Sequence, residues 1–145
     1  MRIKMTVFCT VSLLASAASA QDLRMGTFKS VTGEVSLTQA ATRRLAESGD
    51  GLQPADRILT GRDASATFML KDGTVVSVGP NSTLELAKVQ FDTTTQDGSL
   101  LLNLLQGTIR VVTGWLGKVH PEQVKVITPT SVVGVRGTDF IVEVP

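Results

Sequence analysis

Short segments in which apolar and polar residues alternate recur along most of this chain, and turn-forming residues separate them. Alternation places every second side chain on the same face of an extended strand, so each such segment buries one face. Several of the segments are also rich in β-branched residues, which favour strands. The pattern predicts an all-β protein. The segments are residues 34–38, 64–70, 75–78, 83–86, 107–112, 124–127 and 132–144.

One β-hairpin is predicted at Asp72 and Gly73, between the strand-like residues 66–70 and 75–78. An Asp-Gly pair tolerates the positive φ that tight hairpin turns require.

Two segments lack the alternation. Residues 39–48 contain helix-forming residues but no apolar stripe, and Gly49 follows them. Residues 92–98 are polar and rich in Thr. We expect both segments to form loops, the second of them a long hairpin loop.

A glycine followed by a polar residue precedes an alternating strand at four places, 30 to 40 residues apart. This recurrence favours a solenoid-like or roll-like stack of short strands and hairpins. A β-sandwich or jelly roll, or a simple meander, would produce similar punctuation and remains the alternative. The four glycines are Gly33, Gly73, Gly107 and Gly137.

The first twenty residues have the organisation of a secretory signal peptide. Arg2 and Lys4 supply a positive start, residues 5–15 are mostly apolar, and the Ala-Ser-Ala of residues 18–20 supplies the small residues that a signal peptidase requires. The apolar run is shorter than the roughly 20 residues needed to cross a bilayer. The sequence therefore predicts export rather than a membrane anchor.

Cleavage is predicted after Ala20, which divides the chain into a signal peptide over residues 1–20 and a single domain over residues 21–145. We expect no membrane span in this domain. The one cysteine, Cys9, leaves with the signal peptide, so no disulfide is expected.

The composition argues against several classes of function. Aromatic residues make up 4% of the chain and 14 basic residues nearly balance 13 acidic ones, so a nucleic-acid partner is not expected. His120 is the only imidazole that could act as a base. Three Asp-Gly pairs lie too far apart in sequence to form one calcium loop, and each is explained as a turn. We expect no enzyme activity, no cofactor and no metal.

Trp115 and Leu116 form an apolar pair between Gly114 and Gly117, directly after a predicted strand. A loop tip that presents such a pair suits contact with another protein, so these two residues are the predicted partner-binding site. The interpretation that we favour, however, is a cap, in which the pair folds back over one end of the β core. A binding role predicts that Trp115→Ala weakens partner capture with little change in Tm, whereas a cap predicts a large fall.

Two long motifs resemble the FecR domain family and lie in that family's order. The first covers residues 52–61 and 64–86, and the second covers residues 126–140. With Gly107 and its neighbours, the resemblance covers about residues 26–144. The motif residues that we single out are Asp56, Gly61, Asp72, Gly73, Thr128, Pro129, Arg136, Gly137, Thr138 and Phe140.

We interpret these motif residues as structural. Asp56 is expected to accept hydrogen bonds from backbone amides of a turn. Gly134 and Gly137 permit a bulge or tight bend, and Arg136 is expected to pair with a nearby acid such as Asp139 or Asp56. A phosphate loop is disfavoured because strands are predicted on both sides of this segment.

The resemblance implies an extracytoplasmic, non-enzymatic β-domain with a solenoid-like core. Such domains are best known as the periplasmic part of regulators that pass a signal from an outer-membrane receptor to a cytoplasmic sigma factor. Those regulators carry an anti-sigma segment and a transmembrane helix ahead of the domain, where this chain has a predicted signal peptide. The family pattern also continues with another hairpin after the Gly-Thr-x-Phe strand, so we expect a truncated chain or an unpaired final strand.

The expected function is a periplasmic FecR-like binding or scaffolding module, with secretion or surface display as alternative locations. Its expected partner is another envelope protein, engaged through an open strand edge or through the Trp115 segment. A structural domain that holds lipid or polysaccharide, in a groove near the apolar residues 100–105, is the alternative. A polysaccharide-cleaving enzyme with a carboxylate pair is the least favoured. The sequence makes no prediction of oligomeric state.

Overall fold

The computed structural model describes residues 24–92, 94–135 and 137–145. The predicted signal peptide over residues 1–20 and Arg136 therefore lie outside the described residues. The elements in chain order are β1 (Gly26–Thr32), β2 (Val35–Gln39), β3 (Thr42–Leu45), β4 (Gly51–Leu52), β5 (Arg57–Thr60), β6 (Ser65–Leu70), β7 (Val75–Val78), β8 (Thr83–Asp92), β9 (Asp97–Val112), α1 (Trp115–Val119), a 3₁₀ helix (Pro121–Gln123), β10 (Val124–Ile127), β11 (Val132–Gly134) and β12 (Asp139–Val144).

The strands form one curled sheet that resembles half of a barrel. One half of this sheet has the strand order β4-β1-β6-β7-β9-β12, and the other half has the order β3-β2-β5-β8-β9-β10-β11. All described strand pairs are antiparallel except β9 with β10, which is parallel. The last strand of one half is β12 and the last strand of the other half is β11.

The long strand β9 belongs to both halves. Its first part pairs with β8 as far as Gln106, and its last part pairs with β7 from Ile109 onward. Gly107 lies between these two parts with a φ of +95°. A Cβ atom at this position would overlap Oγ of Ser82. Glycine is therefore required where β9 passes from one half of the sheet to the other.

The core lies inside the curl of the sheet. The rings of Phe28 and Phe68 meet edge to face, with centroids 6.0 Å apart. Leu100, Leu102 and Leu104 of β9 are also fully buried. Full burial of each such side chain stabilises the fold by about 1.5–3 kcal/mol.

The all-β class is confirmed. β6 buries every second residue, as its alternation predicts. The predicted hairpin at Asp72 and Gly73 is present, because Met69 lies opposite Val75 in the β6–β7 pair. The described pairings do not confirm the finer expectation of a solenoid-like or roll-like winding.

The prediction of a loop over residues 39–48 is wrong in part. Residues Thr42–Leu45 form strand β3, which pairs with β2 at the edge of the sheet. All four residues of β3 are exposed. A strand with no buried face has no need of alternation, so the sequence carries no period-two signal there.

Two further segments differ in detail from what the sequence predicts. β8 and β9 meet in the hairpin that was expected over residues 92–98, and they extend until Asp92 lies opposite Asp97. The residues after β9 were expected to form a loop tip, but Trp115–Val119 make a short helix instead.

Candidate binding groove

A groove lies between β11 and β12, where the two halves of the sheet end. We call it the β11–β12 groove, and its volume is about 770 Å³. Its lining is mostly apolar, with one acidic and one basic side chain. The lining residues include Val124, Val133, Val135, Phe140, Ile141, Glu122 and Lys125.

The groove exists because both of these strands pair on one side only. Within the described part of the chain, β11 pairs with β10 and β12 pairs with β9. The chain leaves one half of the sheet after Gly134, the last residue of β11, and enters the other half at Asp139, the first residue of β12. The unpaired edges of two strands therefore lie close to a shared apolar surface.

The register shows which backbone groups of β12 are open. In an antiparallel pair, successive residues alternately direct N–H and C=O toward the neighbouring strand and away from it. The N–H of Thr113 donates to the C=O of Thr138 at 2.9 Å, which sets this alternation for β9 and β12. On the other side of β9, the N–H of Gly79 donates to the C=O of Thr108, which agrees with this alternation of the backbone groups of β9. The residues of β12 whose backbone groups point to the open edge are Asp139, Ile141 and Glu143.

The side chains of these three residues share the outer face of the sheet. Ile141 is 67% exposed. Arg110 donates from Nη2 and Nε to the carboxylate of Asp139 at 2.6 and 3.0 Å. These hydrogen bonds lower the pKa of Asp139. Glu143, by contrast, has no ion-pair partner among the described residues.

Trp115 and Leu116, the predicted partner-binding pair, lie in α1. Leu116 is fully buried and has no surface to offer a partner, so the structure does not support it as a binding residue. Trp115 is half-buried and meets the ring of Phe91 edge to face, with centroids 6.1 Å apart. Its N–H donates to the C=O of Asp72 at 2.9 Å. This packing favours the cap, and binding by Trp115 stays a prediction.

The motif residues Asp72 and Gly73 form the turn between β6 and β7. Gly73 has a φ of +85°. The buried carboxylate of Asp72 accepts hydrogen bonds from the N–H of Thr74 at 2.9 Å and from its hydroxyl at 2.6 Å. The same hydroxyl accepts from the N–H of Gly114 at 3.0 Å. These residues therefore join the turn to the start of α1.

Asp56 and Gly61 also satisfy backbone groups. Oδ2 of Asp56 accepts from the N–H of Gln53 at 2.7 Å and from Nε2 of Gln39 at 2.9 Å. Asp56 is 2% exposed, and its burial raises the pKa of the carboxyl despite these hydrogen bonds. Gly61 donates its N–H to the C=O of Glu34. Each residue has a structural role that requires no ligand.

The closing motif begins in the turn between β10 and β11. Oγ1 of Thr128 accepts from the N–H of Ser131 at 3.0 Å, and Pro129 lies exposed inside that turn. Arg136 lies outside the described residues, so its expected ion pair stays a prediction. Asp139, one of its two expected partners, is held by Arg110.

The rest of the closing motif leads into β12. Gly137 has a φ of +149°. The C=O of Thr138 accepts from the N–H of Thr113, which starts the pairing of β12 with β9. Phe140 is half-buried and lines the β11–β12 groove. The motif thus shapes one wall of the groove.

Ile141 and Glu143 were not among the site residues predicted from the sequence. The relevant signal was present, because the last strand places acidic residues on both sides of an isoleucine at every second position. Its meaning depends on knowing that β12 is an edge strand. No local pattern encodes that position, because it comes from pairing between distant segments. The family resemblance suggested an unpaired final strand, and among the described residues β12 pairs with β9 on one side only.

The described residues also bear on metal binding and on membrane crossing. No group of three or more His, Cys, Asp or Glu side chains in residues 24–92, 94–135 and 137–145 is placed to hold a metal ion. Within the same residues, no helix has both the length and the hydropathy that a membrane crossing requires.

Comparison with known families gives one match. A family model described as FecR protein matches residues 56–144, which is more than half of the chain. The matched segment runs from Asp56 through β12 and includes both walls of the β11–β12 groove. No curated protein and no solved structure matches the chain.

Proposed function

Because the chain belongs to the FecR protein family, we propose that it is a non-enzymatic binding or scaffolding module of the bacterial envelope. Its family suggests a role related to envelope signalling. The proposed location is the periplasm, and this rests on the predicted signal peptide over residues 1–20. The proposed partner is another envelope protein.

The β11–β12 groove is the observation that carries this proposal. It combines an apolar surface with the open backbone edges of two strands, and open edges accept strands from other proteins. Ile141 lies at this edge and is 67% exposed, so it adds apolar surface beside the groove. A protein partner that covers it would remove this apolar surface from water.

A lipid or polysaccharide carrier is less well supported. The sequence suggested an apolar groove near residues 100–105, but Leu100, Leu102 and Leu104 are fully buried in the core. These three side chains therefore leave no accessible surface for an acyl chain.

In-cell photo-crosslinking from position 141 tests the proposal. A photoreactive amino acid at Ile141 is expected to give a discrete adduct with one envelope protein, to be identified by mass spectrometry. The matched control is Arg43 of β3, an exposed residue on another edge strand of the sheet. A third probe at Trp115 tests the binding role that the sequence suggested.

The result depends on a folded and exported protein, which fractionation and protease resistance establish. An adduct specific to position 141 supports the binding role. If position 141 gives no more crosslinking than position 43 in the exported protein, the proposed function is wrong.

A further inference from the structure

We propose that β12 binds an extended segment of a partner protein by strand addition, and that this segment has the pattern basic–apolar–aliphatic–apolar–basic. The inference rests on the proposed function and names the chemistry of its partner. It follows from the open backbone groups of β12, the charges on its outer face and the apolar groove behind it.

The backbone of β12 is ready to pair with another strand. Its pairing with β9 is regular over all six residues, without a bulge. The N–H and C=O groups of alternate residues therefore face the open edge in line, at the spacing that a neighbouring strand requires. The residues that present them are Asp139, Ile141 and Glu143.

The edge lacks some of the features that prevent strand addition. Proteins protect exposed edges with charged side chains, Lys above all, with Pro or with bulges. The edge strand β3 carries Arg43 and Arg44. β12 has no basic residue and no proline within Asp139–Val144. The charges on β12 are acidic instead, so its edge is open only to a strand whose charges complement Asp139 and Glu143.

The outer face of β12 selects the charge of the partner. Directly opposed residues on neighbouring strands contact each other, and opposite charges at such positions are favourable. When an aliphatic residue of the partner lies opposite Ile141, the partner residues two positions before and after it lie opposite Asp139 and Glu143. Glu143 has no ion-pair partner among the described residues and strongly favours Lys or Arg opposite it, whereas Asp139 already pairs with Arg110 and favours a basic residue more weakly.

The inner face of the added strand meets the β11–β12 groove. The two partner residues between the aliphatic and basic positions point to the side of Phe140, where Val133 and Val135 also line the groove. The groove volume of about 770 Å³ accommodates two medium-sized apolar side chains. These positions of the partner are therefore apolar.

A second copy of this chain fits the same edge poorly. In the antiparallel register centred on Ile141, which keeps the most hydrogen bonds between two β12 strands, Asp139 of one copy lies opposite Glu143 of the other. The symmetry places this pair of like charges at both ends of the contact, and like charges directly opposed are destabilising. Registers that avoid these pairs lose backbone hydrogen bonds.

A short peptide tests the proposal on the purified full chain. The probe is the acetylated and amidated peptide Ser-Gly-Lys-Leu-Val-Leu-Lys-Gly-Ser. Strand addition protects particular backbone amides from hydrogen exchange, and NMR measures this protection residue by residue. In the free protein the amides of Phe140 and Val142, which face β9, are expected to exchange slowly, and those of Ile141 and Glu143 are expected to exchange fast. Saturating peptide is expected to slow the second pair at least tenfold.

Two control peptides separate strand addition from general attraction. Replacing both lysines of the peptide with glutamate reverses its charge, and N-methylation of the central valine removes the N–H that pairs with Ile141. Both changes are expected to abolish the protection of the Ile141 amide. A charge effect without protection would contradict strand addition.

A charge swap in the protein tests the pattern itself. Glu143→Lys is expected to weaken binding of the lysine peptide about fivefold and to strengthen binding of the glutamate peptide. Glu47→Lys makes the same charge change at an exposed position in the β3–β4 connection and is expected to change neither affinity. Circular dichroism checks that both variants fold.

The outcomes distinguish this inference from the proposed function. If the lysine peptide does not bind at about 1 mM, the weakest range of specific affinities, or if Glu143→Lys has no effect, strand addition by a basic segment is wrong. A crosslinked envelope protein at position 141 would in that case still support the proposed function. Failure of both experiments would overturn both proposals.

Discussion

The N–H of Gly114 donates to Oγ1 of Thr74 at 3.0 Å, although forty residues separate the two in the sequence. The same hydroxyl donates to the carboxylate of Asp72, which also accepts from the N–H of Thr74. All these groups are buried. The Asp-Gly turn between β6 and β7 therefore holds the start of α1 in place.

Thr74→Val tests the importance of this contact. Valine keeps the shape of threonine but removes the hydroxyl, so the N–H of Gly114 and one oxygen of Asp72 lose their buried partner. The free energy of unfolding is expected to fall by about 2–3 kcal/mol, measured by urea denaturation. Thr83→Val in β8 is the control and is expected to stay within about 0.5 kcal/mol of wild type. Equal effects of the two substitutions would contradict the assigned role.

Gly107→Ala tests the point where β9 crosses between the two halves of the sheet. Gly107 and Gly49 both have positive φ, at +95° and +93°, but only Gly107 has a close neighbour, Ser82. Gly49→Ala is expected to cost about 1 kcal/mol, which is the backbone cost alone. Gly107→Ala is expected to cost at least about 3 kcal/mol in denaturation experiments, since Cβ also overlaps Ser82. Similar losses of unfolding free energy at both positions would show that Ser82 moves and relieves the overlap with the new Cβ atom.

The contact between Trp115 and Phe91 distinguishes a cap from a docking site. Trp115→Ala is expected to lower the free energy of unfolding by about 2–3 kcal/mol, less than for a fully buried tryptophan. With Phe91→Ala and the double variant, thermal denaturation is expected to give a coupling energy of about 0.5–1.5 kcal/mol. Strictly additive effects, or an unchanged Tm for Trp115→Ala, would favour the docking role instead.

The features that the sequence predicts correctly depend on local patterns. The β6–β7 hairpin follows from alternation on both sides of Asp72 and Gly73, because period, turn type and register all act within a few residues. The last part of β9, residues 107–112, is likewise predicted by its own alternation, whereas the single strand over Asp97–Val112 was not predicted.

The features that the sequence misses depend on distant contacts. The α1 turn contains Gly117 and has no side-chain cap, so its conformation is fixed by the hydrogen bond from Trp115 to Asp72 rather than by helix propensity. The groove arises from the parallel pairing of β10 with β9 and from the edge position of β12. No local pattern encodes either relationship.

The carboxyl of Asp56 makes the stability depend on pH in an identifiable direction. Burial raises the pKa of Asp56 in the folded protein above the ordinary value of about 3.9. Between the ordinary and the raised pKa, the folded state binds more protons than the unfolded state. The contribution of Asp56 to the free energy of unfolding is therefore full below pH 3.9 and declines as the pH rises through the raised pKa.

Asp56→Asn is expected to remove this dependence while keeping an acceptor oxygen for the N–H of Gln53 and for Nε2 of Gln39. The stability of the variant relative to wild type is therefore expected to be higher at about pH 7 than at about pH 3. Denaturation across this range measures the difference, in which the acids common to both proteins cancel. Asp63→Asn removes the same charge from an exposed site and is the control. A pH profile for Asp56→Asn that is flat, or the same as that of the control, would show that burial of Asp56 does not influence stability.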